Sequence, residues 1–245
     1  MIRHIILQGF VAASSFLTGY LVCFKLSNKL YPKLPHISGL SDNIVIDGQI
    51  NKEMVQKILT QFNNIEHDKP LDIIINSLGG DGECALVISN RIAGCKNFTR
   101  AIVPHGACSA GLIIAFGCKQ LHFSNYAVIS PIDIQKKDIF GTCSLTAYIK
   151  AVKNIDWRVS LSEALEAVNY QRLLNKYELS IKYNMRINNH CDTEDEINTV
   201  YEFLTETYPH DQLISVGAIK RRGLKILPLP EEYLNSFLPV GIQSI

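Results

Sequence analysis

Residues 71–75 read Leu-Asp-Ile-Ile-Ile, a run of strand length that is too apolar for a loop. Just upstream, Lys52 to Phe62 carries apolar residues at helical spacing (Met54, Val55, Ile58, Leu59 and Phe62), and Asn43 to Gly48 reads as another strand. A strand, a helix and a second buried strand in succession restrict the chain to crossover connections, because parallel neighbours cannot be joined by a tight hairpin. The alternation continues with a glycine-rich turn at Leu78 to Gly82, a helix from about Glu83 to Gly94 and a strand at about Arg100 to Val103. A turn at 104–111, a helix from Leu112 and a strand around Gln120 to Phe123 follow. The expectation is an α/β fold, a parallel sheet with flanking helices. From about Thr142 to Leu204 the pattern is mostly helical, with Leu161 to Asn188 the longest candidate.

Bulk properties exclude several classes. With 245 residues, 47% of them hydrophobic and 19% charged, the chain can bury one substantial core. Its formal net charge of +1 leaves no basic footprint for nucleic acid. Cys23, Cys84, Cys95, Cys108, Cys118, Cys143 and Cys191 are irregularly spaced and include no CxxC pair, as expected of free thiols in a reducing compartment. His190, Cys191 and Asp192 stand side by side, which is not the spacing of metal ligands. No metal or nucleotide cofactor is implied.

Ile5 to Phe24 holds no formal charge over a length that spans a bilayer core at about 1.5 Å per residue. It ends in Lys25, Lys29 and Lys33 rather than in an A-x-A cleavage site. These features predict an uncleaved, single-pass anchor (1–30), with the soluble domain on the cytoplasmic side. A Pro/Gly-bearing linker (31–41), a folded domain (42–229) and a C-terminal tail (230–245) complete the expected layout.

Two turns can do chemistry together. Asn76-Ser-Leu-Gly-Gly80 follows one buried strand, and its glycines let backbone N–H groups face a site unobstructed. Pro-His-Gly-Ala-Cys-Ser-Ala-Gly, residues 104–111, follows the next strand and opens a helix, placing the Ser109 hydroxyl near a helix N-terminus that favours developing negative charge. Small residues are also common at purely structural strand-to-helix turns, so both readings stay open on these residues alone. Cys108 is expected to pack in the core, His105 to support the turn from beside it, and His122 to sit within the sheet. Lys220 to Arg222 is expected to be a solvated helix end.

The stretches IDGQI (46–50), NSLGG (76–80), VPHGACSAG (103–111), ISPIDIQ (129–135) and PHDQLISVGAIKRRGLKI (209–226) together resemble the Clp protease/crotonase superfamily. Within it, they are similar to the membrane-anchored serine dehydrogenase proteinases. The resemblance implies a Clp/crotonase-like fold and a serine-type endopeptidase acting on peptides or proteins, assembled as a homo-oligomer. It implies Ser109 as nucleophile, His210 as base and Asp133 as the residue that orients the base. Gly79 or Gly80, with Ala110, would bind the oxyanion. The chain departs from the family where Leu78 replaces a usual proline, where Ala110-Gly111 follows the serine, and where no turn proline follows His210. Alternatives on the same fold are an inactive membrane scaffold, acyl-CoA chemistry, against which the serine counts, and a Ser-Lys dyad of signal peptide peptidase A type. The dyad would draw on Lys136, Lys137, Lys150 or Lys153, all expected to be solvated.

Overall fold

Strand β1 (Asn43–Asp47), helix α1 (Lys52–Phe62) and strand β2 (Leu71–Ser77) form where the apolar periodicity places them. Local chemistry fixes the helix starts: the Asn51 side chain accepts from the Met54 N–H at 2.9 Å, and Asp81 does the same for Cys84 at 2.9 Å, opening α2 (Gly82–Ala93). These belong to a computed structural model that describes residues 43–65, 69–138, 141–154, 160–207 and 212–237. The expected membrane span and His210 lie outside the described residues, and among those residues no helix is long and apolar enough to cross a membrane.

The described residues fall into two compact units, 43–132 with 179–237, and 133–178. The larger unit holds a six-stranded sheet in the order β1-β2-β3-β5-β8, with β4 also paired to β3. Its strands are completed by β3 (Thr99–Cys108), β4 (Gln120–Phe123), β5 (Val128–Ser130) and β8 (Ile214–Ser215). All pairings are parallel except β5 with β8. Every residue of β2 is buried, as a strand covered on both faces requires.

The turn expected at 104–111 is mostly strand. β3 continues to Cys108 and α3 (Ala110–Ala115) starts at once, which leaves Ser109 as the only residue between them. The strand continues because it changes neighbours: Arg100–Val103 pair with β4, and Gly106–Cys108 pair with β5. Against β2 the register shifts at the same point, so Val103, Pro104 and His105 stand opposite Ile75 alone.

The tail expected from residue 230 carries helix α8 (Glu231–Phe237). Its Tyr233 and Phe237 pack with Leu229 on Ile74 and Ile102 of the sheet, beside Val45. Beneath this helix lies the buried Asp72 carboxylate. It accepts two hydrogen bonds from Arg100, Nε to Oδ1 at 2.6 Å and Nη2 to Oδ2 at 2.7 Å, and a third from the Tyr233 hydroxyl at 2.6 Å. Burial and the Asp72 contact push the Tyr233 phenol well above its usual range, so it stays a donor. The remaining helices of this unit include α6 (Glu194–Thr205), opened by a capping box at Thr193 and Glu196, and α7 (Val216–Lys220). At the end of α7 Lys220 and Arg221 are exposed as expected, while Arg222 is half-buried, its guanidinium 3.3 Å from the centre of the Phe203 ring.

The smaller unit contains an antiparallel hairpin, β6 (Gln135–Asp138) with β7 (Gly141–Ser144), then α4 (Leu145–Asn154) and the start of α5 (Leu161–Ile187), which belongs to this unit through Glu178. The hairpin is absent from the apolar pattern because its residues are mostly polar. What fixes it is Lys136, whose ammonium pairs with Glu166 at 2.9 Å and lies 4.3 Å from the Tyr148 ring centre and 5.4 Å from that of Tyr170. Lys136 is therefore not the solvated side chain expected. Tyr148 and Tyr170 donate to the same carboxylate at 2.7 and 2.8 Å.

Two outcomes follow for stability. Tyr233→Phe removes a donor to a buried carboxylate and should lower unfolding free energy by about 1.5–3 kcal/mol in denaturant titrations. Glu166 is held at about 2, against 4.5, first by the Tyr148 hydrogen bond and then by Lys136 and Tyr170. The unfolded chain therefore binds the proton first as pH falls, so this stabilisation is present above pH 4.5 and is lost between 4.5 and about 2. Hydrogen exchange of the hairpin amides should accelerate across that window in wild type, beyond the intrinsic pH dependence of exchange, and not in Glu166→Gln.

Candidate active site

Ser109 is the single residue between β3 and α3. Its backbone has φ 47° and ψ −113°, one of two non-glycine residues with positive φ among those described. An L-residue adopts that conformation only when its surroundings impose it, at a cost of about 1–3 kcal/mol, and such strain concentrates at functional sites. The arrangement, a strand passing through one strained serine directly into a helix, is that of a nucleophile elbow. Ser109 is half-buried and makes no side-chain cap bond to the helix it precedes. Its carbonyl does start the helix, accepting from Leu112 N–H at 3.0 Å and Ile113 N–H at 3.3 Å. The helix is only six residues long, so the electrostatic contribution comes chiefly from the Ala110 N–H rather than from an extended dipole.

The small residues around the serine are required by close backbone approach. A Cβ on Gly79 would lie 3.1 Å from both the Cys108 oxygen and the Ser109 Cβ, and 3.5 Å from the Ala110 nitrogen. A Cβ on Gly111 would lie 3.3 Å from the Ser77 Cβ. The turn after β2 therefore rests directly against the elbow, and α3 rests on the end of β2. Gly80 is tighter still: a Cβ there would fall 2.2 Å from the Ile50 oxygen.

Hydrogen bonds distinguish the two glycines. The Gly79 N–H donates to the Ser77 Oγ at 3.1 Å, and the Gly79 carbonyl accepts from Ile50 N–H at 3.0 Å. Because a trans peptide points its N–H opposite to its carbonyl, the Gly80 N–H is directed away from Ile50. Leu78 is 41% exposed on this turn. Ser77 was not among the site residues expected from sequence; the only signal for it there is its place two residues before the first glycine.

The other predicted residues fall as follows. Cys108 is buried and packs, with its Sγ 3.9 Å from the Val128 carbonyl. His105 is half-buried with its ring edge-on to Phe237 at 6.3 Å; burial lowers its pKa, opposed by the Asp47 charge, so it is neutral at pH 7. His122 is fixed between the Pro228 carbonyl at 2.7 Å and Gln120 Oε1 at 3.2 Å. His190 is buried against the Phe116 carbonyl at 3.1 Å, and burial lowers its pKa to about 4. Among the described residues no group of three His, Cys, Asp or Glu side chains could hold a metal ion, and the six described cysteines form no disulfide. Asp133 belongs to the smaller unit, three residues beyond the end of β5.

Residues 43–235 match the family described as ClpP-like SDH-type serine proteinase. Two uncharacterized proteins of Methanocaldococcus jannaschii, MJ0137 and MJ1495, are 30% identical over 192 residues and 25% identical over 178 residues. The matches cover 75% and 72% of this chain, and 63% and 59% of those proteins. The chain thus spans about three fifths of the length of these curated relatives. Among solved structures, ClpP1 from Listeria monocytogenes and a point mutant of it are similar with TM-scores of 0.48 and 0.47 at 17% identity. Those alignments cover 78% and 86% of this chain, and 94% and 98% of those chains. The family match extends over the sheet, the elbow and the turn that packs against it, and the chain belongs to the ClpP-like SDH-type serine proteinases.

Proposed function

We propose that the protein hydrolyses peptide bonds through an acyl-enzyme on Ser109. The observation that carries this reading is the strained Ser109 backbone, held against a glycine turn with no side chain between them. His210 takes the hydroxyl proton as Oγ attacks the carbonyl carbon, and returns it to the departing amine. Water then repeats the sequence in reverse to release the acid. Asp133 holds the tautomer of His210. The Gly80 and Ala110 N–H groups bind the oxyanion, while Gly79, whose N–H is engaged by Ser77, contributes the close approach.

Topology supports His210 as the base. β8 runs antiparallel to β5, with Ile214 opposite Ile129, and β5 pairs with β3 so that Ser130 lies opposite Cys108. The chain entering β8 thus comes alongside the end of β5, one strand from the elbow, and His210 precedes Ile214 by four residues. A dyad through Lys136 is disfavoured, because its ion pair with Glu166 raises its pKa and keeps it protonated. In this proposal residues 5–24 anchor the protein in a membrane, with the domain cytoplasmic and assembled as a homo-oligomer.

A fluorophosphonate probe should label wild type at Ser109 and leave Ser109→Ala unlabelled. Peptide hydrolysis should fall by about 10⁴-fold or more in Ser109→Ala and His210→Ala, and by about 10⁴-fold in Asp133→Asn. A folded wild-type protein that takes no label at Ser109 would instead favour the inactive scaffold.

A further inference from the structure

Ser77, the last residue of β2, is 2% exposed, and its hydroxyl joins the end of β1 to the glycine turn. It donates to the Gly48 carbonyl at the end of β1 at 2.6 Å and accepts the Gly79 N–H at 3.1 Å. On its other side, α3 packs close enough that a Cβ on Gly111 would meet the Ser77 Cβ at 3.3 Å. The Gly79 carbonyl is also near, at 3.4 Å, but it is already the acceptor for Ile50 N–H at 3.0 Å. With one proton to give, the hydroxyl is committed to Gly48.

This bond selects one of several shapes open to the turn. Gly79 and Gly80 have φ of 108° and 146°, in a region where glycine meets few steric barriers. Directing the Gly79 N–H inward to Ser77, and the Gly79 carbonyl to Ile50, orients the next peptide so that the Gly80 N–H faces the opposite way. Removing the hydroxyl would leave the buried Gly79 N–H without its partner and favour rotation of that peptide. From this geometry we infer that Ser77 is a positioning residue, its hydroxyl fixing which glycine N–H is presented to the oxyanion. This rests on the acyl-enzyme reading. Ser77 touches no reacting atom and acts only through Gly79 and Gly80.

The test uses the full chain, with active sites counted by fluorophosphonate labelling taken to completion. Ser77→Ala should label to the same final extent as wild type, yet hydrolyse a peptide ester with kcat per labelled site lowered about 10²-fold and KM within about threefold, the pattern of a misplaced transition-state donor. Ser77→Cys, close in shape and weaker in hydrogen bonding, should fall between the two and serves if the alanine variant does not fold. Unchanged kcat per labelled site, with only the labelled fraction or Tm reduced, would make Ser77 merely structural and overturn the inference. Wild type that is unlabelled at Ser109 overturns the acyl-enzyme reading itself, and this inference with it; a labelled wild type separates the two failures.

Discussion

At the ends of β2 and β3 two backbones meet with no side chain between them. Gly79 lies against Cys108, Ser109 and Ala110 so closely that a single Cβ would press on the first two and touch the third. Ser109 can therefore hold its strained φ, because the turn on one side and the immediate start of α3 on the other leave it little room to relax. This contact explains why the serine is embedded in glycine and alanine, and why it projects from the sheet's edge rather than capping the helix.

At the opposite end of β2 and β3, Asp72 is held by both arms of Arg100 and by Tyr233. The same carboxylate thereby ties the C-terminal helix α8 across the sheet face. A buried carboxylate with three charge-assisted hydrogen bonds costs little to keep and much to disrupt. Its two partners, Arg100 and Tyr233, come from distant parts of the chain, so it staples the first sheet strands to the last described helix.

How legible this was in the sequence depends on the range of the interaction. Strands β1, β2 and β4 and helices α1, α2 and α5 follow from apolar spacing within a dozen or so residues, and the structure places them close to where that spacing does. The place of Ser109 between a strand and a helix was legible because small residues flanking an apolar run are a local signal. Ser77 was not, because its meaning depends on the Gly48 carbonyl 29 positions earlier. The β6–β7 hairpin was equally hidden, since its anchor pairs Lys136 with Glu166, 30 positions later. Reading 104–111 as a turn went astray because proline and glycine usually end strands, whereas here Pro104 sits in a register shift and Gly106 begins a second pairing.

That shift in β3 also has a mechanical side. The strand is gripped in one register by β4 over Arg100–Val103 and in another by β5 over Gly106–Cys108, while β2 follows both. Sliding β3 by a residue would unseat every one of these ladders together, so the strand behaves as a keyed shaft that can neither advance nor retract. The height at which Ser109 stands above the sheet is therefore set by the sheet's interior rather than by the loops around it.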